Sequence, residues 1–219
     1  MMRHTKKNVA AAANELLEKL YPDAVCSLVY DGDPWRLLVM ARLSAQCTDA
    51  RVNIVSVPLF AKYPTAADMA VSDPETLESI VRPCGLYHTK ARDLRRMSEQ
   101  IVRDFGGRVP DTMDKLLSLA GVGRKIANLI LGDVYGKGGI VADTHCIRIT
   151  GRLGLTASTV PAKVEKDVEV LLPREKQSAF CHRLVLFGRD ICSARSPKCE
   201  ECELKKNGVC RYNKEGKTL

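Results

Sequence analysis

No segment of this chain approaches the run of about 20 apolar residues that a ~30 Å hydrocarbon core demands, which excludes a membrane-spanning helix. No cleavable leader is expected either. Met1-Met2-Arg3-His4-Thr5-Lys6-Lys7 leads only into a short alanine run broken by Asn14 and Glu15, too short and too polar for a signal peptide. A cytoplasmic protein without a membrane partner is therefore expected. There is no strand periodicity, no repeat and no low-complexity tract, so sheet folds and repeat arrays drop out. Acids are also scarce: 26 Asp and Glu against 34 Lys and Arg leave a formal charge of +8. That balance suits a polyanionic partner, although charge alone describes solvated faces as well.

What remains is an ordinary globular composition, 45% hydrophobic and 27% charged over 219 residues. That length suffices for one large domain or two lobes around a substantial core. The cations are uneven. Residues 138–219 hold 15 Lys/Arg against 10 Asp/Glu, residues 27–137 hold 15 against 13, and Arg82 to Arg108 is locally basic with seven cations and three acids. Apolar residues recur at three- and four-residue steps over 5–20, 35–46, 50–61, 87–105, 124–135, 145–153, 161–172 and 176–187, which predicts an all-α fold. Asp33-Pro34 and Asp73-Pro74 place a capping carboxylate before a proline at the first helical position. Thr65 to Asp68 and Asp111 to Asp114 are weaker starts of the same kind.

Leu116 to Leu131, around Gly121-Val122-Gly123-Arg124-Lys125, predicts two helices meeting across a tight turn. Glycines there permit positive φ and close backbone approach. The second helix would point its unpaired N–H groups and positive dipole end outward, a seat for phosphate. With Arg124 and Lys125 following, the segment is similar to a helix–hairpin–helix DNA-binding motif, with Gly121, Val122 and Gly123 as its contact residues. Lys125 invites a second reading. A lysine nucleophile must be neutral, and a helix amino end, an adjacent arginine and partial burial all disfavour an ammonium. From this segment alone a phosphate contact is the simpler role. Downstream, Val141-Ala142-Asp143-Thr144-His145 enters another helix, with Asp143 or Thr144 as its cap. A carboxylate so placed could also stabilise positive charge developing on a sugar ring.

Nine cysteines is a high and odd count for a reducing compartment, where disulfides are rare. Cys26, Cys47, Cys84, Cys146 and Cys181 lie among apolar neighbours and read as small hydrophobes. Cys192, Cys199, Cys202 and Cys210 follow one another at intervals of six, two and seven residues. Four thiolates so close form a closed metal site, for zinc or a [4Fe–4S] cluster. The spacing lacks the two close pairs of a zinc ribbon.

Taken together, these motifs resemble the endonuclease III family. The aspartate of Val-x-Asp-Thr-His stands eighteen residues after the lysine of Leu-x-Gly-Val-Gly-x-Lys. The match continues through Leu43-Ser44-Ala45-Gln46, Thr48-Asp49, Gly85-Leu86-Tyr87, Lys90-Ala91, Cys181-His182 and Gly188-Arg189. The resemblance implies a two-lobed helix–hairpin–helix DNA glycosylase fold. Residues 27–137 would form a six-helix lobe carrying the hairpin (about 113–132), and residues 1–26 with 138–219 an iron–sulfur cluster lobe. It implies a monomeric, bifunctional glycosylase and abasic-site lyase acting on double-stranded DNA that contains oxidised pyrimidines or abasic sites. Lys125 would be the nucleophile, Asp143 its electrostatic assistant, and His145 a phosphate-contacting or packed residue. Gln46 and Leu86 would fill the gap left by the flipped base, the first bonding the orphaned partner, the second acting as a wedge. Asp49 falls where the family keeps a carboxylate near its pocket. The four C-terminal cysteines would hold a structural [4Fe–4S] cluster, with Arg195, Lys198, Lys205 and Lys206 on the braced surface. Two positions depart from the pattern. Ala120 replaces the usual proline, and the Cys202–Cys210 interval is longer than usual, a surface loop that Gly208 could absorb. A monofunctional mismatch glycosylase is the nearest alternative, but such relatives commonly carry tyrosine or serine in place of Lys125. A non-catalytic DNA-binding module with a redox-sensing cluster would need neither Lys125 nor Asp143.

Overall fold

Short side chains at the helix starts set the architecture. In the computed structural model, which describes residues 5–212, Thr5, Asp33, Thr48, Asp73 and Asp143 each accept a hydrogen bond from a first-turn amide. Such caps satisfy N–H groups that have no partner within the helix. Thr65 and Asp68 do more, closing a reciprocal capping box. Among the described residues every regular element is helical: α1 (Lys6–Leu20), α2 (Pro34–Leu43), α3 (Asp49–Lys62), α4 (Ala66–Ala70), α5 (Pro74–Val81), a 3-10 turn (Arg82–Cys84), α6 (Tyr87–Phe105), α7 (Met113–Leu117), α8 (Arg124–Asp133), α9 (Thr144–Arg152), α10 (Pro161–Glu169), α11 (Arg174–Asp190) and α12 (Glu203–Lys206). The all-α expectation holds. No helix among the described residues is long and apolar enough to cross a membrane.

The chain divides into two compact units, residues 26–135 and residues 1–25 with 136–219. In the first, Leu37, Leu38, Met40 and Leu43 of α2 meet Leu59, Leu77, Leu94, Met97, Leu116 and Ile130 in one core. Helix α6 is the spine of this unit, and α4 and α5 pack on it. Its buried stripe runs Lys90, Ala91, Leu94, Met97, Ser98, Ile101, the three- and four-residue steps of an amphipathic helix with one lysine set in it. In the second unit Val9, Ala13 and Leu17 of α1 pack on Phe180, Leu184 and Phe187 of α11. The buried Arg183 joins these two helices, donating to Glu18 Oε1 at 3.1 Å and Asn14 Oδ1 at 3.3 Å.

Helix α2 corrects one expectation. The periodicity carries a helix to residue 46, but α2 ends at Leu43 because Gln46 takes a left-handed conformation, φ 55°. A glutamine there gives no sequence sign of a stop, since that conformation ordinarily selects glycine or asparagine.

Candidate functional site

The hairpin is built from α7, the turn 118–123 and α8. Gly121 closes the turn at φ 73°, and a Cβ there would fall 2.5 Å from Arg42 Nε and 2.9 Å from Asp93 Oδ2. Those two side chains form an ion pair at 2.7 Å, only 11% and 15% exposed. The close approach that the first glycine permits is therefore to the protein's own ion pair. Gly123 differs: its φ of −103° is open to any residue, it is the N-cap of α8, and a Cβ on it would meet nothing within 4 Å. Val122 is buried, and its amide donates to Leu119 O at 3.2 Å within the turn. Lys125 is the second residue of α8, a helix with no acid in its first turn and no side-chain cap. Its side chain is exposed, contrary to the partial burial expected of it. The uncapped helix end and Arg124 remain as its electrostatic surroundings.

Gln46 and Leu86 share a conformation. Both are exposed and both have positive φ, 55° and 49°. Among the described residues only Asp31 joins them as a non-glycine in that region. Leu86 is the N-cap residue of α6, at ψ 31°, and its side chain is 56% exposed. Beneath the two turns lies Lys90, wholly buried, whose Nζ donates to Leu43 O at 2.7 Å and to Cys84 O at 2.8 Å. Burial pulls this ammonium below the ordinary lysine range. Burial, reinforced by the neighbouring Cys47, pushes the Cys84 thiol up to about 11. Asp49, the first residue of α3, is half-buried, and its charge adds to the burial that drives the Cys26 thiol up to about 12.

Asp143 is the N-cap of α9. Its Oδ1 accepts from the Cys146 amide at 2.7 Å, which leaves Oδ2 outside the cap. The side chain is half-buried, as is His145, whose Nδ1 lies 3.1 Å from Arg148 Nη2. A Cβ on Gly188 of α11 would collide with His145 Nδ1 and stand 2.8 Å from Arg148 Nη2, so a glycine is required for these side chains to lie on α11. Two arginines tie α9 to the cysteine-bearing segment. Arg148 Nε donates to Cys192 O at 3.1 Å, while Arg152 donates to Cys192 Sγ at 3.1 Å, Ser193 O at 2.8 Å and Ala194 O at 2.9 Å.

Cys192, Cys199, Cys202 and Cys210 line one pocket, together with Ile149, Leu153, Phe187 and Leu204. Backbone N–H groups of Leu204 and Lys205 favour the thiolate of Cys202, and that of Tyr212 the thiolate of Cys210, each against a larger opposing effect of burial. Donors of this kind suit thiolates that carry negative charge toward a bound group. Burial holds the thiols of Cys202 and Cys210 above the ordinary range. Among the described residues no three His, Cys, Asp or Glu side chains close on a single point as a lone ion requires. The four thiols instead stand around the pocket wall. The long Cys202–Cys210 interval is no slack loop. It forms α12 and a turn at Gly208 (φ 68°), with Leu204 and Val209 buried and the amides of Val209 and Cys210 both donating to Leu204 O at 2.9 Å. Arg195 and Lys198 are exposed, whereas Lys206 is paired with Glu203 at 3.0 Å.

Several supporting residues escaped the sequence. Lys90 stood only as part of a motif, although a charged residue on the apolar stripe of α6 marks a buried group with partners. Arg42, Asp93, Arg148 and Arg152 gave no sign, because each depends on a contact across the fold. Comparison with known proteins now adds to the geometry. The profile of the HhH-GPD superfamily of base excision DNA repair proteins matches residues 39–174. An endonuclease III of Synechocystis sp. is 42% identical over 201 residues, 91% of either chain. Among solved structures, a non-covalent endonuclease III–DNA complex is similar at a TM-score of 0.86 and 39% identity, covering 96% of both chains. A trapped endonuclease III–DNA covalent intermediate, with an estranged adenine, has the same score and identity and covers 96% of this chain and 97% of its own. This chain belongs to the endonuclease III family within the HhH-GPD superfamily of base excision DNA repair proteins.

Proposed function

We propose that this protein is a bifunctional DNA glycosylase and abasic-site lyase that removes oxidised pyrimidines from double-stranded DNA, acting as a monomer in the cytoplasm. The observation that carries the reading is Lys125, an exposed amine at the uncapped, acid-free start of α8 in a hairpin of the family's form. In this reading residues 27–137 form the lobe that presents the hairpin, and residues 1–26 with 138–219 form the cluster lobe. Backbone amides at Gly121 and Gly123 and the start of α8 hold a phosphate, Val122 sets the turn through its amide bond to Leu119 O, and His145 makes a further DNA contact. The damaged nucleotide leaves the stack, with Leu86 and Gln46 taking its place.

The neutral amine of Lys125 attacks the anomeric carbon, and the base departs with the bonding electron pair. Opening of the sugar ring gives a protonated Schiff base. That cation acidifies the adjacent carbon; loss of its proton expels the 3′ phosphate by β-elimination and breaks the strand. Asp143, with Oδ1 held by the Cys146 amide, offers its second oxygen to the positive charge that develops on the sugar. Cys192, Cys199, Cys202 and Cys210 would hold a [4Fe–4S] cluster, which supplies no chemistry to the cut and braces the segment it closes. The ligand set and the pocket that the four cysteines share support that assignment.

The test is borohydride trapping on abasic duplex. Lys125→Gln is expected to form no covalent complex and to cut no strand while still binding duplex. A complex trapped by the mutant would assign the nucleophile to another amine.

A further inference from the structure

Gln46 and Leu86 occupy a backbone region that non-glycine residues visit rarely and keep only where the surroundings over-determine it. Their turns are far apart in sequence, one after α2 and one before α6. A single buried side chain serves both. Lys90 Nζ donates to Leu43 O, at the end of α2 just before the Gln46 turn, and to Cys84 O, just before Gly85 and Leu86. From its own backbone Lys90 holds Leu86 as well, its amide donating to Leu86 O at 3.0 Å. Lys90 is 0% exposed, while Leu86 stands 56% exposed on the other side of the same turn. An ammonium with no solvent contact is costly to bury, and directed bonds to two carbonyls offset that penalty. Both carbonyls belong to turns that end in a protruding, left-handed residue.

We propose that Lys90 is a positioning residue for base extrusion: its buried ammonium pins the Gln46 and Leu86 turns together, so the two side chains enter the duplex as one preformed unit. Lys90 touches neither DNA nor the reacting sugar. It acts by fixing the backbones that do, so that loop ordering is not left to the moment of insertion. The inference rests on the assignment of Gln46 and Leu86 as the inserted residues, and the experiment separates the two claims.

Schiff-base trapping is measured on an abasic site in duplex and in single-stranded DNA, since only the duplex requires a gap to be filled. A 2-aminopurine opposite the abasic site reports insertion by its fluorescence. Lys90→Met is expected to lower the ratio of duplex to single-strand trapping rates by about tenfold or more, the scale of one lost charge-assisted hydrogen bond. It should also flatten the fluorescence change, and Lys90→Arg should recover most of both. In a Leu86→Ala background Lys90→Met should add less than about threefold, because residues acting as one unit are not additive. An equal slowing on both substrates would reduce Lys90 to a general packing role and overturn the proposal. An unmoved ratio in Leu86→Ala and Gln46→Ala would instead sink the insertion reading beneath it. Should Lys90→Met fail to fold, Lys90→Gln, which keeps a donor nitrogen but loses the charge, carries the same comparison.

Discussion

At the scale of single residues, the two glycines of the hairpin look alike in sequence and do different work. Gly121 has φ 73° and no room for a Cβ against the Arg42–Asp93 pair, whereas Gly123 has an ordinary φ and open space. Gly121→Ala combines backbone strain with a collision, and is expected to lower unfolding free energy by about 2 to 4 kcal/mol. Gly123→Ala forfeits only a modest N-cap preference, about 1 kcal/mol or less. Because Gly123 leads the helix end proposed to seat phosphate, its methyl should weaken duplex binding in a protein of near-normal stability. Urea midpoints and duplex titrations of both variants make the comparison, and equal destabilisation would mean that both glycines serve the turn alone. The sequence showed that this turn needed glycine. It could not show that the crowding partner is Arg42, because a contact with a residue far along the chain leaves no periodic trace.

At the scale of elements, helix starts were the most legible feature. A capping carboxylate before a proline is a local signal, and both Asp33 and Asp73 cap as expected. Ends that rest on an unusual φ in an ordinary residue were not legible, which is why α2 stops three residues short of its apolar period. The C-terminal segment shows a different limit. Four cysteines announce a metal site from spacing alone, yet the interval taken for a lengthened surface loop holds a helical turn anchored by Leu204 and Val209. Arg152 links this segment to α9 through Cys192 Sγ and the two carbonyls that follow it. A bound cluster should therefore order more than its own loop. Purified protein is expected to contain about four iron and four sulfide per chain, as the cluster type requires. Cys199→Ser or Cys202→Ser should give poorly soluble protein, since a ligand set of this kind organises the segment that carries it. Stoichiometric zinc in anaerobically prepared protein, measured by elemental analysis, would refute the iron–sulfur assignment.

At the scale of the whole molecule, the sequence carries a charge of +8 but not the face on which it acts. In the cluster segment Lys206 is paired with Glu203 at the surface, while Arg195 and Lys198 stand exposed. Holding DNA and choosing a lesion are separable tasks. A phosphate contact carries no base information and releases condensed counterions, so removing one should lower the salt slope of log K by about 0.9 and weaken damaged and undamaged duplex alike. An apolar wedge stabilises only the extruded state and should leave the slope untouched. Lys198→Ala and Leu86→Ala, titrated against both duplexes over a range of salt, are expected to divide along that line. Lys198→Ala should lose slope and general affinity; Leu86→Ala should lose discrimination and turnover. Lys206→Ala should change the slope less than Lys198→Ala, because its surface pair with Glu203 competes with a phosphate. An unchanged slope for Lys198→Ala, with the same result at Arg195 and Lys205, would place this basic surface in solvent and away from DNA. The excess charge would then serve solubility, and the hairpin would carry the electrostatics of binding.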